Sequence, residues 1–246
     1  MLRTAFIEKY DMLPYDDRKA PAVFSGIYFS HMLKKLIDHE GPAVAIWRGA
    51  DISWALKVKP EYIEQIKAKK NITHIAPSSF IENTLKEANI PHTPLPVVAR
   101  KNDDIKPCGL GNMVYAYNAT SPKYGGGIFE QVRDKLKRFH FIVCNYKTYT
   151  REQLLNIYAS CFIGVRFTDH DGLSNTVVEM GLMGRRVIWN GNTPNAIPWS
   201  RDDIGQIVKT VNMEYENREK FDYLAIAKQM EDYLNISDDF LYTEQY

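Results

Sequence analysis

The chain is sparing with cysteine. Its 246 residues include three, Cys108, Cys144 and Cys161, at spacings that give neither a disulfide framework nor a metal-binding pair. They read as reduced core thiols of a cytoplasmic protein. Long apolar runs are missing too, and the opening Met1-Leu2-Arg3-Thr4 lacks the hydrophobic stretch of a signal peptide, so no membrane span and no leader are expected. Charge of one sign is absent: 31 Lys and Arg stand against 30 Asp and Glu, a net charge of +1. That balance excludes a surface built to seek nucleic acid or strongly acidic partners. Lys67, Lys69 and Lys70 form a small basic run with no recognition motif beside it. No internal repeat and no low-complexity segment interrupts the pattern.

What is present is an ordinary globular composition, 45% apolar and 25% charged, in a length that builds one large or two small α/β domains. The most informative stretch runs from Cys161 to Asn190. Its first part, Cys161 to Phe167, is a continuous apolar run of the kind that a parallel strand buried on both faces shows. A polar turn follows, Thr168-Asp169-His170-Asp171-Gly172. Apolar residues then recur at helical spacing, Leu173, Val177 and Met180, with Val178 and Leu182 beside them. Ser174 or Asn175 caps this helix, Gly184 ends it, and Arg185 to Trp189 is β-rich again. Strand, turn, helix and strand make a right-handed crossover, which puts the turn and the helix's first amides at the carboxyl edge of a parallel sheet. Arg185 and Arg186, between a helix end and a strand, read as structural cations at a helix C-terminus.

Two acids stand at that edge, Asp171 before the helix and Glu179 on it, with seven residues between them. The helix N-terminus suits a phosphate or diphosphate. An ionised carboxylate about a turn further on can accept both hydroxyls of a ribose. Together these features describe a nucleotide diphosphate site. Lys123 beside Gly125-Gly126-Gly127 reads as a second phosphate cradle, because glycines admit the backbone and lysine adds a point charge. The glycine spacing does not give the dinucleotide fingerprint, so a nicotinamide enzyme is not expected.

Asp171-Gly172-Leu173, Glu179 and the Gly184-to-Ile188 segment resemble the acid, seven-residue spacer, acid motif of the retaining nucleotide-sugar glycosyltransferases of GT-B fold, the group one or family four type. Leu154 to Cys161 resembles that family's helix leading into a buried strand. Ser121-Pro122-Lys123-Tyr124-Gly125-Gly126 resembles its lysine-glycine phosphate loop, and Phe24-Ser25-Gly26-Ile27 its early glycine turn. The resemblance is good over residues 112–200 and loose elsewhere. It implies an α/β fold of two Rossmann-like lobes with a cleft between them and a reduced N-terminal lobe. Residues 1–100 would form the acceptor-side lobe, 101–112 a linker, 113–213 the nucleotide-sugar lobe, and 214–246 a terminal helix and tail crossing back to the first lobe.

The implied activity is transfer of a sugar from a UDP- or GDP-linked donor to an acceptor hydroxyl, retaining, with no metal and no other cofactor, by a hexosyl- or pentosyltransferase. Catalytic roles would fall to Asp171, Lys123 and Arg166. Substrate binding would fall to Glu179, Gly172, Leu173, Ser174, Asn175, Thr176, His170, Gly125 and Gly26. Two positions depart from the family's pattern: the first acid is aspartate, and Asn118 stands where an arginine is common, five residues before the loop lysine. The missing charge is assigned to Arg166. The acceptor classes are a glycan, a lipid, a protein or a hydroxylated DNA base. A short first lobe predicts a shallow acceptor side, suited to a large acceptor or to completion by another copy of the chain in a homo-oligomer. Three alternatives stay open: a metal held by Asp169-His170-Asp171, a nucleotide-sugar epimerase of the same fold, and a non-catalytic nucleotide-sugar-binding protein.

Elsewhere the patterning predicts helices over 22–39, 60–69, 79–88, 128–137 and 214–234, and strands over 43–47, 73–76, 113–116 and 140–144. Arg48 with Asp51 reads either as a group aimed at a ligand or as a brace for its own loop.

Overall fold

A computed structural model describes residues 12–98, 100–145, 149–168 and 171–243, with side chains placed as far as residue 236. The described residues fall into two compact units. One takes the chain up to residue 101, the segment 171–173 and the end of the chain from Leu234; the other takes 102–168 and 174–233. Among the described residues, no helix is long and apolar enough to cross a membrane.

The first unit carries a parallel sheet of β1 (Ala22–Ser25), β2 (Ala43–Ile46), β3 (Ile72–Ala76) and β4 (Thr93–Pro94), in that spatial order. Between the strands run α1 (Ser30–Asp38), α2 (Ala50–Val58), α3 (Pro60–Ala68) and α4 (Ser79–Glu87). Right-handed crossovers that all step the same way put every helix on one face. Ala43, Ala45 and Trp47 accordingly pack with Leu33, Ile52 and Ile66 from the helices. Ile46 and Ile75 point the other way and pack with Leu95 and Val97 from the extended segment after β4. The helix expected over 22–39 begins only at Ser30. Ala22–Ser25 pairs in parallel register with Ala43–Ile46, and Gly26 at φ 67° turns the chain out of the strand, so a ladder of sheet hydrogen bonds overrides the local periodicity. The basic run has structural partners. Lys69 donates to the carbonyls of Ile37 (2.6 Å) and His39, closing the end of α1, and Lys67 pairs with Glu64 at 2.7 Å.

The second unit carries β5 (Met113–Tyr117), β6 (Phe141–Cys144), β7 (Cys161–Val165), β8 (Arg186–Ile188) and β9 (Ala196–Ile197), all parallel, in the spatial order β6-β5-β7-β8-β9. Its helices are α5 (Gly126–Lys135), α6 (Arg151–Ala159), α7 (Asn175–Leu182), α8 (Ile204–Asn217) and α9 (Tyr223–Thr243). The chain steps from β5 to β6 on one side, then crosses to β7 on the other. Strand order therefore reverses between β5 and β7, the position at which open α/β sheets form a crevice at their carboxyl ends. All five residues of β7 are buried. Met180 of α7 brings its sulfur within 2.7 Å of the point where a Cβ on Gly164 would sit, so the Met180 side chain packs directly on the backbone of β7.

Arg185 explains how the opposite edge is closed. Fully buried, its guanidinium donates to the carbonyls of Tyr158 (3.1 Å), Ala159 (3.1 Å), Cys108 (2.8 Å), Gly109 (2.6 Å) and Met183. Those groups include open carbonyls at the ends of α6 and α7, where a cation also meets the negative ends of two dipoles. Arg186 pairs with Glu214 of α8 at 2.8 Å. The single helix expected over 214–234 is two: α8 stops at Asn217, and Asp222 restarts the chain by accepting the Ala225 N–H at 2.9 Å. Burial pushes the thiols of Cys144 and Cys161 up to about 11 and about 12, as befits packing groups rather than nucleophiles.

One buried histidine couples the first unit to pH. Trp47 Nε1 donates to His74 Nδ1 at 3.2 Å, and burial lowers the His74 pKa from 6.5 to about 4. The unfolded chain takes up a proton below 6.5 that the folded chain refuses until about 4. Stability from this residue is thus complete above pH 6.5 and is lost as pH falls through that window. Chemical denaturation should show a loss of about 2 kcal/mol between pH 8 and pH 5 from this residue, and a flatter dependence in His74→Gln. An identical slope in the variant would remove the assignment.

Candidate functional site

The carboxyl ends of β5 and β7 bring most of the second unit's candidate residues to one place. After Tyr117 the chain passes Asn118 at φ 47°, makes a short 3-10 turn over Pro122–Tyr124, and enters α5 through Gly125 at φ 73°. Glycine is required there twice over: the angle is left-handed, and a Cβ would lie 2.4 Å from the carbonyl oxygen of Phe167. The loop after β5 is thus pressed onto the residues that leave β7. The next residue out of β7, Arg166, is 7% exposed. Its guanidinium carbon lies 4.6 Å from the ring centre of Tyr117 and 5.0 Å from that of Tyr124, and the two rings meet edge to face at 5.2 Å. Such stacking orients the guanidinium. Lys123 is exposed, with its ammonium 5.8 Å from the Tyr124 ring.

Helix starts at this edge differ in how they are finished. α6 is closed by a capping box from Thr150 and Gln153, and α8 by Asp203, which accepts the Gln206 N–H at 2.8 Å. α5 has Gly125 at its N-cap, with no side chain to offer. Among the described residues the Ser174 hydroxyl makes no capping bond to α7. α7 therefore presents first-turn amides and a positive dipole end, whereas in α5 the Gly126 and Ile128 N–H groups already donate to the carbonyls of Ser121 (3.1 Å) and Gly125 (2.9 Å), and Gly127 is the first-turn residue whose amide is left to offer among the described residues. Asn175 is half-buried, while Ser174 and Thr176 are buried. The Thr176 hydroxyl lies beside those of Tyr115 and Tyr158, whose rings pack edge to face at 4.9 Å, and burial drives both phenol pKa values upward. Thr176 thus faces inward, and its backbone is what it can offer at the helix start.

Glu179, one turn further along α7, is 4% exposed. One of its carboxylate oxygens accepts from Arg151, the first residue of α6. Arg151 also grips Asp104 with Nε and a terminal nitrogen at 2.8 and 2.9 Å, and reaches Asn102 at 3.4 Å. Hydrogen bonding to Arg151 holds the Asp104 carboxyl below its ordinary range, and the same bond raises the Arg151 pKa. Sequence reading missed both residues. The available signal was an arginine at a helix's first position, where the dipole disfavours a cation.

Asp171, Gly172 and Leu173 group with the first unit, as does Gly26. There the Ser78 hydroxyl donates to the Asp171 carbonyl at 3.1 Å, and a Cβ on Gly172 would lie 2.4 Å from the Arg48 carbonyl oxygen. Of the two readings of Arg48 and Asp51, the brace is the one built. Asp51 is fully buried and accepts from the backbone N–H groups of Ile27 (3.0 Å), Arg48 (2.9 Å) and Ile52 (2.9 Å). Burial pushes its carboxyl above the ordinary range against the pull of those amides. The Arg48 side chain reaches Ser25 Oγ at 3.1 Å and the Val97 carbonyl at 2.9 Å. Gly26 serves the turn after β1, where a Cβ would lie 2.8 Å from the Tyr28 ring. Asp169 and His170 lie outside the described residues. Among the described residues, no three His, Cys, Asp or Glu side chains are grouped to hold a metal ion.

A wide depression of about 570 Å³ lies at the amino edge of the second sheet, among residues 109–112, Ser160 and Arg218. It faces the negative ends of helices, a poor setting for a diphosphate.

No protein-family model and no curated protein matches the chain. The crystal structure of TarM matches with a TM-score of 0.61 at 11% identity, covering 94% of this chain and 56% of that one. A TarM variant from S. aureus, in complex with Fondaparinux, alpha-GlcNAc-glycerol and UDP, gives 0.46 at 12% identity over 80% of this chain and 52% of that one; a likeness that slight carries no argument. The chain thus shares the α/β, parallel-sheet fold of TarM and spans about half of its length.

Gly125→Ala is expected to lower the stability of the second unit by about 2 kcal/mol, through backbone strain and the Phe167 contact. Gly127→Ala is the control, since no described atom lies within 4 Å of its Cβ position. Thermal denaturation should separate the two variants; equal responses would contradict the packing described.

Proposed function

We propose that the chain is a glycosyltransferase, moving a sugar from a nucleotide diphosphate donor to an acceptor hydroxyl. The observation that carries this reading is the reversal of strand order between β5 and β7, flanked by α5 and α7, whose N-caps make no side-chain bond, with Arg166 leaving β7 beside them. The fold shared with TarM supports it.

As the sugar–phosphate bond breaks, negative charge grows on the leaving diphosphate. Arg166, Lys123, the Gly127 amide of α5 and the first amides of α7 stabilise that charge from positions set before the reaction, the kind of electrostatic help that dominates many enzymes. Arg166 supplies the cation that Asn118 does not. Glu179 accepts the ribose hydroxyls. The reaction proceeds with retention and without a metal, of the GT-B, family four type: the acceptor attacks from the leaving group's own face and a departing phosphate oxygen takes its proton. UDP- and GDP-linked donors both suit such a site, and the acceptor is a glycan, lipid or protein hydroxyl.

Calorimetry with UDP, GDP and their sugar conjugates tests the reading. Arg166→Met should weaken diphosphate binding by about tenfold or more, the worth of a charge-assisted contact, and leave the bare nucleoside unaffected. Glu179→Ala should weaken donor binding and turnover together; unchanged binding would remove it from the site. Absence of any response from the wild-type protein to every nucleotide would defeat the proposal.

A further inference from the structure

We infer that Arg151, clamped by Asp104, is a positioning residue that sets the protein's preference for a ribose-bearing nucleotide by holding the carboxylate of Glu179; the inference rests on the donor site proposed above.

Three observations carry it. Glu179 is 4% exposed, and a carboxylate so far from water tends to take up a proton unless a cation faces it. A protonated acid loses acceptor capacity, whereas recognition of a vicinal diol needs two acceptors. Arg151 is the facing cation, through one terminal nitrogen to Glu179 Oε1. The guanidinium is itself fixed. Its Nε and second terminal nitrogen bind the two oxygens of Asp104 at 2.8 and 2.9 Å, a fork-to-carboxylate match that sets the plane of the group. Third, the arginine gains nothing from its own helix. It is the first residue of α6, at the positive dipole end, where acids are favoured, so its place there answers to the two carboxylates it joins.

Position along the chain makes the arrangement informative. Asn102 and Asp104 precede β5, Arg151 opens α6, and Glu179 lies on α7. Selectivity for the pentose is thereby made to depend on a segment outside any nucleotide-binding motif. Asp104 is the outer end of the relay, with its side chain 53% exposed, against 27% for Arg151 and 6% for Glu179.

The test measures binding of UDP, GDP and ADP, each beside its 2′,3′-dideoxy counterpart, to the full chain and to two variants. In Arg151→Met the ribonucleotide should bind about tenfold more weakly, while the dideoxy compound stays within about twofold, because only the diol contact is lost. Asp104→Asn, changed at an exposed position, should shift the same preference by about threefold; it decides the matter if Arg151→Met does not fold. Equal weakening of both compounds, or an unaltered ribose preference in Asp104→Asn, would overturn the inference and leave the diphosphate site standing. A wild-type protein that binds all three diphosphates without preferring ribose would do the same. Failure of the wild type to bind any of the three would overturn both.

Discussion

Burial of β7 on both faces is the constraint from which the second unit is built. With Cys161, Phe162, Ile163, Gly164 and Val165 all buried, each large side chain contributes about 1.5–3 kcal/mol of transfer free energy, and a polar group on the strand would have to find a partner inside. The chain can therefore present chemistry only after it leaves the sheet. It does so at once, with Arg166. The same burial forces α7 to lie directly on Gly164, which fixes where that helix begins and which of its residues face inward.

The two edges of this sheet are electrostatically unlike. At the amino edge the carbonyls that end α6 and α7 converge on the buried guanidinium of Arg185, and that edge is satisfied from within. At the carboxyl edge the outer helices are finished by Thr150 and Asp203, while α5 and α7 are not finished by their own N-caps. At the strand-order reversal the start of α7 therefore lies near Arg166, whose guanidinium stacks on Tyr117 and Tyr124. Glu179 is paired with Arg151, and Arg151 with Asp104.

The first unit is organised differently. Its described strands run in sequential order, with no reversal among them. Its fully buried Asp51 is occupied in holding three backbone amides. Its buried His74 accepts from Trp47 and binds stability to pH. These groups hold turns and core together.

Much of this was legible in the chain itself. The apolar run at Cys161 and the helical spacing after the polar turn placed a strand and the helix that carries Glu179, because periodicity and burial are properties of neighbouring residues. Arg185 as a cation at helix ends was legible for the same reason. The strand at Ala22–Ser25 was not: those residues suit a helix locally, and it is register with Ala43–Ile46 that makes them extended. Nor was the break between α8 and α9, which turns on one aspartate capping a new start. Least legible was the set Asp104, Arg151 and Glu179. Nothing in their order or spacing joins them, and they meet only because packing brings the segment before β5, the start of α6 and the second turn of α7 to the same point, where a buried charge must find its opposite.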